Sequence, residues 1–259
     1  VSASEPDYLD YLAQFVRENE ISYCLPMSEA ELAVLARAGI DRVGDTPLLW
    51  AGARSIKVGC DKLGTADFIR SIGLPAPWTM TAAGDQSPPS FPCIFKLRHS
   101  AGSKAVFVCN DMNDVRFFQR RYPDAVLQEL LPDTEREVTC AVYRTRSGNV
   151  HVLQLLRRLA GGFTSWAQVI DDADVAAQCL AIAEALDLRG PINIQLRMTS
   201  AGPHIFEINP RLSSTALMRH LVGYNDVKWM IDEAEGRSVV YRSPKPGVIL
   251  ARTQGAAIL

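Results

Sequence analysis

The chain has 259 residues, 47% hydrophobic and 22% charged, enough to bury one large core or two modest ones. Its net charge of -2 offers no basis for a nucleic-acid partner. It shows no run of about 18 apolar residues, no signal-peptide pattern and no polybasic tail, so membrane and secretory classes lose support and the cytoplasm is the expected compartment.

In chain order, Ser4 is expected to cap a helix with Tyr8, Leu12, Phe15 and Val16 on one face. The segment "ISYCLPM" (21–27) reads as a strand, and Ser28 with Glu31 as the capping box of a second helix. One apolar strand needs neighbours, and about 55 residues barely make a core. With Val1 as first residue, residues 1–56 are therefore expected to be the C-terminal part of an α/β domain whose upstream half is missing or was removed.

From Asp61 the pattern changes. "DKLGTADFIRSIGLPAP" predicts a short helix stopped by Gly73 and two prolines. A strand at 92–98, a small-residue loop "HSAGSK" (99–104), the strand "AVFVCN", a helix around 115–121 and a strand at 125–131 follow. A second unit comprises strands near 135–145 and 150–157, a helix from Asp172 to Leu186, and the strands "PINIQLRM" and "HIFEIN". Antiparallel strands with segregated helices make the class α+β. Cys24, Cys60, Cys93, Cys109, Cys140 and Cys179 contain no CxxC pair and read as idle or buried thiols, not as a zinc site or disulfide framework.

The last two strands are joined by "TSAGP", a hairpin signal. A turn centred on Ala201 sets Gln195 opposite Glu207 and Asn193 opposite Asn209. Polar side chains then share one face, while Ile192, Ile194, Leu196, Phe206 and Ile208 fill the other. One carboxylate among neutral oxygens suits a hard cation whose remaining ligands come from phosphates, and Arg211 follows two residues later; a solvated sheet face is the other reading. Lys96 sits inside the apolar strand "CIFKLR", where an ammonium must snorkel out or meet an anion. No GxxxxGK[ST] and no strand-GxGxxG-helix is present.

The order "DKLGTADFIRSIGLPAP", "FPCIFKLRHSAGSKAVFV", "LQELLPDTEREV", "NIQLR" and "FEINPRLSSTA" resembles the ATP-grasp superfamily, particularly its carbamoyl-phosphate synthase large-subunit-like branch, over residues 57 to 236. That resemblance implies two α+β lobes clasping ATP: a small lobe at 57–130 and a large lobe at 131–259, preceded by the partial domain at 1–56. It implies that Lys62 and Lys96 hold ATP phosphates under a lid containing Ser100, Gly102, Ser103 and Lys104. Gln128, Glu129, Leu130 and Leu131 would meet the adenine, with Glu135 or Glu137 at the ribose. Gln195, Glu207 and Asn209 would hold Mg²⁺ or Mn²⁺, with Arg211 beside the transferred phosphate, where Lys96 also acts. Departures are a glycine-poor lid, with Ala101, Ser103 and Ala105, and Asn209 as third ligand, which leaves Glu207 as the firm carboxylate. Arg157 and Arg158 are candidates to orient a substrate carboxylate, or else a solvated strand end. His99, His151, His204 and His220 match no catalytic position.

The implied chemistry is phosphorylation of a carboxylate by ATP, followed by displacement of phosphate by an amine. Such transfers rely on positioning and charge neutralisation, which suits a chain without a Ser-His-Asp set. The rival readings are a carbamoyl-phosphate synthase-like or carboxylase enzyme acting on bicarbonate, and a nucleotide-binding regulatory module without turnover. Expected partners are the small-molecule substrates, without nucleic acid or membrane, and a homodimer is compatible with them.

Overall fold

The structure is a computed structural model that describes residues 1–99, 105–132 and 136–253. Its first helices are α1 (Tyr8–Glu18) and α2 (Glu29–Ala38). Ser28 and Glu31 form the expected capping box on α2. Ser4 does not cap α1: its hydroxyl bonds that of Ser2 at 2.8 Å, and the helix starts four residues later behind Asp7. Tyr8 and Val16 are buried, whereas Phe15 is 45% exposed and leaves the predicted face. The segment 21–27 is not a strand. It makes one parallel bridge, Cys24 to Leu48, and Pro26 has no N–H with which to extend it. The short pair β1 (Arg42–Val43) and β2 (Thr46–Pro47) leads into α3 (Gly52–Gly59) and α4 (Lys62–Ser71). Helix α3 continues across residue 56.

The small sheet contains β3 (Thr79–Thr81), β4 (Cys93–Leu97), β5 (Val106–Cys109) and β6 (Ala125–Glu129), in the antiparallel order β3-β6-β4-β5, with α5 (Met112–Gln119) on one face. Alternation along β4 sends Cys93 and Phe95 into the core beneath α5, where Phe107 stacks on Phe118 at 4.0 Å, and leaves Ile94 and Lys96 on the other face.

The large sheet contains β7 (Glu137–Arg144), β8 (Val150–Ala160), β9 (Phe163–Ile170), then, after α6 (Ala173–Ala185), β10 (Gly190–Thr199) and β11 (Gly202–Asn209), and finally, after α7 (Ala216–Leu221) and α8 (Asp226–Ala234), β12 (Ile249–Ala251). Its order is β11-β10-β7-β8-β9-β12, antiparallel throughout. Central β7 is covered on both faces. Val138, Cys140 and Val142 join a core with α4 and α6, and Ala141 and Tyr143 join one with Trp229 and Met230 of α8. That double burial explains why "EVTCAVY" shows no polar alternation. Strands β9 and β12 and helix α8 have no counterpart in the sequence reading, whereas α7 is the helix expected after the proline that ends β11. All six cysteines are free, four of them buried.

The β10–β11 hairpin pairs Gln195 with Glu207 and Asn193 with Asn209, the predicted partners. Nearer the turn the register is one residue off: Leu196 faces Ile205 and Thr199 faces Gly202, because a bulge interrupts the ladder beyond Gln195. The bulge reverses one expected side chain. Ile205 takes the core position predicted for Phe206, and Phe206 turns onto the polar face.

Candidate active site

A cavity of about 360 Å³ lies between the two sheets, walled by Ile94, Lys96 and Gln128 on one side and by Gln195, Glu207 and Asn209 on the other. Two lysines reach it by different routes. Lys62 is the first residue of α4, whose N-cap Asp61 accepts from the Leu63 N–H at 3.0 Å and from Arg98 at 2.8 and 2.6 Å. Burial raises the Asp61 carboxyl, but the hydrogen bonds from Arg98 and the Gly64 N–H, together with the Arg98 charge, outweigh it and hold the group below its ordinary value. The Lys62 N–H bonds the Arg98 carbonyl oxygen at 3.1 Å, so helix and strand are tied at this corner. The Lys62 ammonium then lies 4.0 Å from Glu207 Oε1.

Lys96 is buried, and its Nζ donates to Gln128 Oε1 at 2.8 Å, while Gln128 Nε2 donates to Thr79 Oγ1 at 2.9 Å. Burial pushes the Lys96 ammonium down to about 8; Glu207 opposes this, and Lys62 and Arg197 add to it. A buried ammonium bonded to a neutral amide and facing a cavity fits an anionic ligand. The Phe206 ring, delivered by the bulge, has Lys96 Nζ and the Arg197 guanidinium each 5.9 Å from its centroid.

Glu137 is 9% exposed. Its Oε1 accepts from Arg157 at 3.0 and 2.6 Å, and its Oε2 lies 3.5 Å from Arg197. Arg197 also donates to the Leu131 carbonyl oxygen at 2.8 Å, which anchors the segment leaving β6 to the large sheet. Glu29, the first residue of α2, lies in the field of Lys62, Arg211 and Glu207; burial raises its carboxyl and the two cations partly offset this. Burial pushes the neighbouring Cys60 thiol up to about 12, so it is no thiolate nucleophile.

Of the residues predicted from sequence, the cavity brings together Lys62, Lys96, Gln128, Glu129, Leu131, Glu137, Arg157, Gln195, Glu207, Asn209 and Arg211. Leu130 does not line it. Asn193 lies beneath it, fully buried, accepting from Thr139 at 3.0 Å. The two readings of Arg157 and Arg158 divide between them: adjacent strand residues face opposite ways, so Arg157 enters the cavity while Arg158 lies exposed at a solvated strand end, over Trp166 at 5.2 Å. Ser100, Gly102, Ser103, Lys104 and Glu135 lie outside the described residues. Arg197, Phe206, Ser213, Ser214 and the β8–β9 hairpin with Gly162 and Phe163 were not read as site residues. For Arg197 the signal was its place two residues beyond Gln195, and for the hairpin it was the Gly161-Gly162 pair between strands.

Among the described residues no group of three or more His, Cys, Asp or Glu side chains is placed to hold a metal ion. Gln195, Glu207 and Asn209 instead offer three oxygen donors with one carboxylate, a set that fits Mg²⁺ when phosphates complete its shell.

The family model described as "ATP-grasp in the biosynthetic pathway with Ter operon" matches residues 121–255. A carbamoyl-phosphate synthase of Methanobrevibacter smithii is 24% identical over 103 residues, which cover 38% of this chain and 28% of that protein. The chain thus spans less than a third of that relative's length. Among solved structures, the biotin carboxylase domain of Hydrogenobacter thermophilus 2-oxoglutarate carboxylase, in complex with MgADP, ADP and bicarbonate, superposes with a TM-score of 0.74 at 12% identity, over 93% of this chain and 60% of that one. An L-amino acid ligase of Bacillus licheniformis gives a TM-score of 0.71 at 16% identity, over 88% of this chain and 61% of that one. These likenesses show the ATP-grasp fold.

Proposed function

The chain belongs to the ATP-grasp family whose model matches it, and from that premise we propose that it is an ATP-dependent ligase joining a carboxylate to an amine. The observation that carries the reading is the convergence of Lys62, Lys96, Arg211 and Glu207 on one cavity between the two sheets, with Lys62 4.0 Å from Glu207. In the proposed reaction a substrate carboxylate oxygen attacks the γ-phosphorus of ATP, ADP leaves, and an acyl phosphate forms. The amine then attacks the acyl carbon, phosphate departs with the bonding electron pair, and the nitrogen loses a proton. Mg²⁺ held by Gln195, Glu207 and Asn209 would neutralise charge on the β- and γ-phosphates. Lys96 and Lys62 bind phosphate oxygens in a site partly closed to water, and Arg211 orients the group in transfer. Phe206, Ile94 and Leu131 offer the apolar surface for adenine, and the anchored Leu131 segment the backbone groups. Arg157 fixes Glu137 beside them.

Bicarbonate as phosphoryl acceptor is the second reading, supported by the carbamoyl-phosphate synthase relative and by the bicarbonate in the carboxylase complex. Among the described residues no helix is long and apolar enough to cross a membrane, and the cytoplasm, where ATP is held, is the proposed compartment. Phosphate release from ATP, measured across carboxylate and amine pairs and with bicarbonate alone, tests the function. Release that needs both a carboxylate and an amine supports the ligase. Release with bicarbonate alone supports the second reading, and ATP binding without release from any acceptor contradicts both.

A further inference from the structure

A second, wider cavity of about 910 Å³ opens at the other end of β7. The active-site cavity meets that strand at Glu137, and this one meets it at Arg144, a span of about 23 Å at strand rise. Its walls are the segment from Asp41 to Ser55, the turn after β7, the start of β10 and Glu233 of α8. The Trp50 carbonyl oxygen closes against Gly190, where an added β-carbon would lie 3.2 Å away, so the N-terminal segment sits directly on the large sheet.

Five arginines, Arg42, Arg54, Arg144, Arg146 and Arg189, line this cavity against three acids, Asp41, Asp187 and Glu233. Each acid is already engaged. Asp187 accepts from Arg144 at 2.6 Å, Glu233 from the Tyr143 hydroxyl at 2.8 Å and the Arg146 backbone N–H at 2.7 Å, and Asp41 from Trp50 Nε1 at 3.1 Å. Arg42 donates to the Asp45 carbonyl oxygen. The guanidinium groups of Arg54, Arg146 and Arg189 donate to no described residue, although they come from three separate segments of the chain. Arg144 Nε is likewise buried without a hydrogen-bond partner. The first turn of α3, which has no side-chain cap, lies on the same wall and adds its positive end.

We infer that this cavity is a binding site, separate from the nucleotide cavity, for a compact small molecule carrying two or more phosphate or carboxylate groups. Arginine forks match both oxyanions in bidentate geometry, and the volume suits a small ligand. An extended polyanion is disfavoured, because Asp41, Asp187 and Glu233 interrupt the cationic surface and the chain as a whole is negative.

Calorimetric titration in magnesium-free buffer, with fructose 1,6-bisphosphate as phosphate probe and tricarballylate as carboxylate probe, tests this. At least one probe binds saturably, and which one binds identifies the oxyanion. Joint Arg54→Ala, Arg146→Ala and Arg189→Ala substitution weakens that binding by about tenfold or more, whereas Lys96→Met leaves it unchanged. The three arginines are exposed, so the variant should keep the wild-type melting temperature, and the single change Arg54→Glu should weaken binding in the same direction. Absence of saturable binding by either probe, survival of binding in the arginine variants, or its loss in Lys96→Met overturns the inference.

Discussion

A β-carbon on Gly59 would lie 2.6 Å from Cδ of Pro210 and 2.9 Å from the Ile208 carbonyl oxygen. This close approach seats the end of α3 on the strand that carries Glu207 and Asn209, and three residues later the chain presents Lys62 to Glu207. Gly59→Ala has no open space to use, so helix and strand must part. It should cost about 1–3 kcal/mol in chemical denaturation and weaken ATP binding as well. Full stability with unchanged ATP affinity would show that this contact does not position Lys62.

Lys96→Met retains most of the buried stem and removes the charge. The folded-state value of about 8 lies below the ordinary 10.5, so between these limits the unfolded chain holds more protons and stability rises with pH. The penalty of the buried ammonium is complete below pH 8 and is relieved towards pH 10.5. In denaturation experiments the wild type should therefore gain on the Met variant between pH 7 and pH 10, while the variant binds ATP more weakly at pH 7. A constant stability difference would contradict the burial argument.

Arg157 and Arg158, adjacent in sequence, should behave oppositely. Arg157→Met strips Glu137 of its closest partner inside the protein, a loss of about 3 kcal/mol or more. Arg158→Met gives up only an exposed contact with Trp166, about 1 kcal/mol at most. Melting curves of the two variants compare them directly, and equal losses would place both side chains in the same environment.

The bulge separates Ile205 from Phe206 in the same way. Ile205→Ala opens the core and should cost about 2–5 kcal/mol. Phe206→Ala should change stability less and nucleotide affinity more. The reverse outcome would restore the unbulged register.

How much was legible follows from these residues. The pairing of Gln195 with Glu207 could be counted because polar and apolar side chains alternate and one face is buried. Lys96 stood out because a charge within "CIFKLR" demands an explanation. Phe206 could not be placed, since the bulge that turns it adds a residue without any glycine or proline to mark it. Glu137 was legible only through the family resemblance, as the alternative to Glu135; the structure sets it on the cavity wall, and its binding by Arg157 and Arg197 depends on cross-strand neighbours distant in sequence. The segment 21–27 reads locally as a strand and lacks one because its ladder stops after a single bridge. The arginine-lined cavity joins separate segments spread from Asp41 to Glu233, and no local pattern announces it.

The most direct test of the active-site account is calorimetric titration of a non-hydrolysable ATP analogue with and without Mg²⁺, on the wild type and on Glu207→Gln. Glu207 supplies the charge in the donor set, so Mg²⁺ should strengthen binding to the wild type by about tenfold or more, roughly 1.4 kcal/mol, and the amide variant should lose most of that gain. Equal affinity with and without Mg²⁺ in the wild type, or a magnesium effect that survives in Glu207→Gln, would contradict it.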